Sequence, residues 1–405
     1  MKPPLFNSDC WTRTPHVDSD FIEASERFGG TLDLRNVNPV DINTIPSYFS
    51  KGLEGTRALC LRPLNIFNEI VTQMSSESIS VDRFNSKIKC GYIRNRTPNA
   101  YCWKEDQVTY LGVTSGLVQF FFGVISHLLS FQEFMTERLY GSTGEEKGQI
   151  DSIKDGIDFE SILKWEVGSQ YIYPQYRFPK SEDRQLLALN ITHLTILYAF
   201  LHEMGHAYYL HNDFIETYFG NIVIQEMQSN KRNDRELSNL LNRFEFLADI
   251  FAIEISLNSK LGSFNSRMAD ASDFYTWSIG IDLLLWIFSQ RLILTTAPGS
   301  HPHPQLRILN KVFHLGKKDY GNPPKKITYN DQANMPISKI SIVASKDLYE
   351  FWKTNELPGW NNSFLSEDTI KFHFESIKNL QRKDTEIWLK YEDFVDHDLI
   401  KEVIK

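Results

Sequence analysis

The chain has 405 residues, of which 41% are hydrophobic and 23% charged, enough to build a large core with one or two smaller appendages. Its formal net charge of -8 excludes nucleic acid as the main partner, because phosphate binding needs an excess of Lys and Arg on one face. Four cysteines, at positions 10, 60, 90 and 102, are too few and too irregularly spaced for a disulfide framework or a paired-cysteine zinc clip, which points to a reducing, cytoplasmic setting.

The opening Met1-Lys-Pro-Pro-Leu-Phe-Asn-Ser-Asp-Cys10 lacks the apolar run of a signal peptide. Residues 1–55 mix short polar and apolar runs without a period and predict an irregular N-terminal wrap. Two short strand patterns, Asn99–Trp103 and Gln107–Val113, flank the polar turn Lys104-Glu105-Asp106 and predict a hairpin. Thr114 or Ser115 then caps a long apolar helix running to about Phe134.

The polar, glycine-containing stretch 136–184 reads as an insertion. Apolar residues at three- and four-residue spacing follow over 191–211, 234–259 and 272–295, and predict three core helices. Gly, Lys, Asn and Pro crowd residues 316–336, marking a linker, and 337–405 carries helical patterns such as Ile370–Leu380. The expected fold is therefore α+β and mostly helical, with a domain over 56–315 and a helical C-terminal cap. Two apolar stretches, 112–131 and 278–294, carry Gln119 and His127, and Asp282, Gln290 and Arg291, respectively. A charge at mid-bilayer costs about 3 kcal/mol, so both are expected to be buried helices and no membrane span is predicted.

Chemistry begins in the first core helix, at His202-Glu203-Met204-Gly205-His206. Residues four apart share a helix face, so His202 and His206 can reach one ion, and imidazole suits zinc. Glu203, one step round the helix, stands beside that ion, where a general base can take a proton from activated water. The motif arises by chance in about one such chain in fifty, so context decides.

A catalytic site with an open position needs a third protein ligand. A metzincin pattern would place Gly at 209 and His at 212, but the chain has Tyr209 and Asn212, and His211 is one residue out of register. The second core helix offers Glu245-Phe-Leu-Ala-Asp249, two carboxylates on one face among Phe244, Phe246, Leu247, Ile250 and Phe251. Buried carboxylates are costly unless paired or metal-bound. Glu245 is accordingly the expected metal ligand, and Asp249 the expected acceptor for the outer N–H of a ligand histidine.

Together these residues resemble the gluzincin zinc peptidases that include the CAAX prenyl proteases and their soluble relatives. His202 to His206 and Glu245 to Asp249 look like that family's zinc-binding pair, in the same order, and Ser300-His301-Pro-His-Pro-Gln-Leu-Arg307 is similar to its HP-then-Arg segment. The resemblance implies a zincin-like core with one zinc ion, His301 as an oxyanion donor and Arg307 as the anchor of the site carboxylates. It also implies that Asn99, Ala100 and Tyr101 form a substrate-side edge strand, able to pair with an extended peptide. Residues 136–184 are longer than the family's spacing suggests and its membrane spans are missing, which argues against prenylated substrates. The expected activity is that of a zinc endopeptidase acting on a protein or peptide. A dedicated-target protease resembling the Lit phage-exclusion peptidase, and a zinc-containing binding module without turnover, are the alternatives.

Overall fold

A computed structural model of the chain describes residues 19–32, 34, 53–76, 87–131, 134–135, 179, 182–219, 235–257, 271–295, 304–317, 337–354 and 386–395. In chain order the elements are α1 (Ser19–Ser25), α2 (Leu53–Ser76), β1 (Lys87–Ile93), β2 (Ala100–Glu105), β3 (Val108–Thr114) and α3 (Ser115–Leu129). There follow α4 (Glu182–Tyr208), α5 (His211–Phe219), α6 (Arg235–Leu257), α7 (Ala271–Thr295), α8 (Pro304–Lys317), α9 (Ile337–Thr354) and α10 (Glu386–Val395). The described part is mostly helical, as periodicity predicts, with one three-stranded sheet.

The predicted hairpin is β2–β3, in register Cys102↔Leu111, and its chain reverses at Asp106, whose φ of 54° is a left-handed conformation that Asp tolerates. A third strand, β1, pairs parallel to β3, giving the order β1-β3-β2 with β2 at the margin. Strand alternation divides the sheet's side chains. Tyr101, Trp103 and Tyr110 join Ile93, Phe21 and Ala24 in an aromatic cluster on one face. Ala100, Cys102, Leu111 and Val113 join the main core on the other, towards α4. The 1–55 segment is thus not wholly irregular: α1 carries Phe21 onto the outer face of the sheet, 5.8 Å from Trp103 between ring centroids.

Thr114 caps α3 as expected, its hydroxyl accepting from the Leu117 amide at 3.1 Å, but the helix ends at Leu129, short of Phe134. Central to the fold is α4, against which α2, α3, α6, α7 and the sheet all pack. It begins at Glu182 rather than 191, so residues 182–184 fall inside the span read as insertion. One described helix, Arg184–Tyr208, is long and apolar enough to cross a membrane, and 89% of that window is buried in the protein. A helix apolar on every side is what a core position demands.

The C-terminal region lies on this core. Trp352 of α9 meets Trp286 of α7 at 4.2 Å between centroids, and the Tyr391 hydroxyl of α10 donates to the Tyr209 carbonyl at 2.9 Å. Between α7, α8 and α9, buried Lys311 pairs with buried Asp282, which also accepts from Ser345 at 2.5 Å. The Ile370–Leu380 pattern and the 316–336 linker, apart from the end of α8, lie outside the described residues.

Candidate metal centre

Two histidines one helical turn apart on α4 meet a carboxylate from α6. His202 Nε2 and His206 Nε2 are 3.2 Å apart, and Glu245 reaches both, Oε2 at 3.4 Å from the former and Oε1 at 3.6 Å from the latter. All three residues are buried, and their ligand atoms lie within 4.8 Å of one another, so the group could hold a metal ion. A tetrahedral ion bound at about 2.0–2.2 Å sets its ligand atoms about 3.3–3.6 Å apart, so the donor set fits such an ion.

The two helices can approach this closely because the residue between the histidines and facing α6 is glycine. A Cβ at Gly205 would come within 2.8 Å of Ala248 Cα and 3.2 Å of Ala248 Cβ. Neither is the end of a flexible side chain, so the contact could be relieved only by shifting a helix.

Asp249, one turn beyond Glu245, supports the cluster from behind. Its carboxylate meets His202 Nδ1 at 3.0 Å, accepts Nε and Nη2 of Arg307 at 2.8 and 2.7 Å, and accepts the Tyr198 hydroxyl at 2.8 Å. Arg307, from α8, also stands 3.4 Å from Glu245 Oε2. The arrangement thus places Asp249 on the outer nitrogen of His202 and Arg307 across both carboxylates. Tyr198 was not anticipated, although its place four residues before His202 on the same helix was a signal.

The electrostatics follow from this geometry. Burial works to raise Asp249, but the charge and hydrogen bonds of Arg307, with those of His202, hold its carboxyl down to about 2. Burial likewise opposes a charge on His202, but Asp249 and Glu245 outweigh it and push the imidazole up to about 10. His206 goes the other way, lowered to about 3 by burial and by the neighbouring positive charges, with Glu245 opposing. Asp249 and Glu245 therefore favour a positive charge at the His202 imidazole.

Glu203 borders a cavity lined also by Ala100, Tyr198, Ala199, His202, Leu284, Leu285 and Arg307. Its interior space is about 10 Å³, room for roughly one water. Of the three residues expected on the substrate strand, only Ala100 reaches this cavity. The Tyr101 side chain projects to the opposite face of the sheet, where it stacks on Phe28 at 4.6 Å. Asn99 turns its backbone inward: its carbonyl accepts the Thr114 amide at 3.0 Å and its amide donates to the Thr114 hydroxyl at 2.9 Å. Ladder alternation then directs the amide and carbonyl of Ala100 and Cys102 to the outer margin of β2. There Asn212 Nδ2 donates to the Cys102 carbonyl at 3.0 Å, and Lys104 pairs with Asp213, so the first turn of α5 already occupies part of that edge.

His301 lies outside the described residues. His211, set aside as a ligand on register, has a different place: its Nδ1 lies 2.9 Å from Nδ1 of His206, on the side away from Glu245. Compared with protein-family models, curated proteins and solved structures, the chain gives no match in any of the three.

Proposed function

We propose that the chain is a zinc-dependent endopeptidase in which His202, His206 and Glu245 hold the ion and Glu203 is the general base. The observation that carries this reading is the convergence of both Nε2 atoms and the Glu245 carboxylate on one point, with Glu203 beside a water-sized cavity. Two imidazoles and a carboxylate are a ligand set typical of catalytic zinc with one position left open. Bound zinc would supply Lewis acidity, polarising a peptide carbonyl and lowering the pKa of water from about 15.7 to about 7.

The remaining work belongs to the chain. Glu203 takes the proton of the attacking water and passes it to the departing amine, a role worth about 100-fold or more. Asp249 keeps the His202 proton on Nδ1, so that Nε2 presents a lone pair to the ion. Arg307 holds both carboxylates in place, and Ala100 offers outward backbone groups to an extended peptide. His301 is the proposed oxyanion donor, by the resemblance of its segment.

The small cavity and the partly occupied β2 edge favour the narrower version of this reading, a protease with one dedicated target. The test compares wild type with Glu203→Gln. The variant should retain stoichiometric zinc and lose at least about 100-fold in cleavage. A search for new protein termini made by wild type and not by the variant should return few sites. Unchanged cleavage by Glu203→Gln eliminates the proposed base, while a zinc-loaded wild type inert towards all peptides and proteins returns the chain to the class of binding modules.

A further inference from the structure

Both histidines of the cluster have their outer nitrogen engaged, but by partners of different kinds. His202 has a carboxylate, Asp249, at 3.0 Å, whereas His206 has the second imidazole of His211 at 2.9 Å. With Nε2 turned to the ion, neutral His206 must carry its proton on Nδ1 and donate it to Nδ1 of His211, which leaves the proton of His211 on Nε2. Among the described residues that buried Nε2 has no hydrogen-bond partner, so the contact with His206 is the one hydrogen bond seen for the ring there.

What fixes the ring is packing and a turn. Phe244 of α6 lies parallel to it, 4.0 Å between centroids at 9°, and Tyr209 and Tyr391 flank it at 5.7 and 5.8 Å. The chain is brought back over His206 by the turn between α4 and α5, where Tyr209 donates to the Gly205 carbonyl and Leu210 takes a φ of 53°. A branched residue held in the left-handed region needs support from its surroundings. Tyr391 supplies it from α10, its ring 4.6 Å from Phe244 and its hydroxyl on the Tyr209 carbonyl.

We propose that His211 is the positioning residue that sets the tautomer and orientation of His206, and that the C-terminal helix α10 belongs to the metal centre because Tyr391 holds the turn that delivers His211. This rests on the metal-binding part of the reading above and needs no substrate.

The experiment uses the full chain and two probes, zinc affinity by chelator competition and the visible spectrum of the cobalt-substituted protein. His211→Ala should weaken zinc by about 10–100-fold and alter the cobalt bands, as loss of a ligand's outer partner does. His211→Asn, whose side-chain oxygen can accept in place of Nδ1, should recover most of both. Tyr391→Phe keeps the ring contacts and removes one hydrogen bond, and should weaken zinc by about 2- to 10-fold. The proposal is overturned if His211→Ala matches wild type in affinity and spectrum, or if His211→Asn is no better than His211→Ala, since packing alone would then explain the residue. A wild type that binds neither zinc nor cobalt would remove the metal reading itself, an outcome distinct from failure of the variants.

Discussion

Asp249 and Glu245 lie one turn apart on α6, both buried, yet truncating them should produce opposite rankings in two assays. Asp249 receives Tyr198, both Arg307 bonds and His202 at 2.7–3.0 Å. Asp249→Ala leaves a buried guanidinium and a buried hydroxyl without that acceptor, and breaking a buried pair from one side costs about 3–5 kcal/mol. The carboxyl's own shift gives a second estimate: a drop from 3.8 to about 2 corresponds to about 2–3 kcal/mol of preference for the ionised form in the fold. Because the folded value is depressed, that stability is present above the ordinary carboxyl range and is lost as pH falls towards 2. The contacts of Glu245 with His202, His206 and Arg307 are longer, 3.4–3.6 Å, and Glu245→Ala should cost the fold less than Asp249→Ala. For zinc the order reverses: removing the ligand should abolish stoichiometric binding, while Asp249→Ala weakens it by about 10–100-fold. Urea unfolding of metal-free protein and chelator competition measure the two quantities. If Asp249→Ala loses zinc more completely than Glu245→Ala, the assignment of ligand and support is reversed and the reasoning fails.

Gly205→Ala should push α4 from α6 against Ala248, costing about 1–3 kcal/mol by urea unfolding and lowering zinc affinity, whereas a variant as stable and as metal-competent as wild type would refute the close-packing argument. Asp282→Asn strands the buried Lys311 charge and should cost about 3–5 kcal/mol, while Asp282→Asn combined with Lys311→Met should recover most of it; equal loss in both would show that the pair is not the source. Burial raises the Cys60 thiol above 9.0 and the Tyr391 phenol above 10.0, so the folded state holds these protons more tightly than the unfolded one. The stability they contribute is present below those ordinary values and is lost as pH rises above them, and thermal midpoints should fall from about pH 9 upward, less steeply in Cys60→Ala.

Where the information was local, the sequence carried it. The spacing of His202 and His206, the Glu245–Asp249 pair and the Thr114 cap each depend on residues within one or two turns, and each takes its expected position. Helix α2 was harder to read because Arg62 and Pro63 interrupt its apolar pattern, although Arg62 is itself buried. Strand β1 alternates lysines with apolar residues around Gly91, and its parallel partner lies beyond the neighbouring β2, a non-local pairing that no short window reveals. Tyr101 shows the cost of reading a motif without its register: Ala100 faces the cavity, so its neighbour must face away. His211 and Tyr391 are 180 residues apart, and only the folded core makes them neighbours.

The charge balance of the cluster bears on whether it is a cation site or an ordinary buried ion-pair network. Glu203, Glu245 and Asp249 bring three carboxyl groups into the core, and Arg307 faces Glu245 and Asp249 with one positive charge. Asp249 and Glu245 both favour a positive charge on the His202 imidazole. A network selected for stability alone has little reason to keep this imbalance, since apolar residues of similar volume are often as stable as buried ion pairs. A group proposed to receive a cation would instead hold two carboxylates beside imidazoles whose outer nitrogens are already engaged, as Asp249 and His211 engage them here. In the proposed site an ion would take the place of the His202 proton, and the support that Asp249 and His211 give behind the imidazoles would then bear on how tightly it is held.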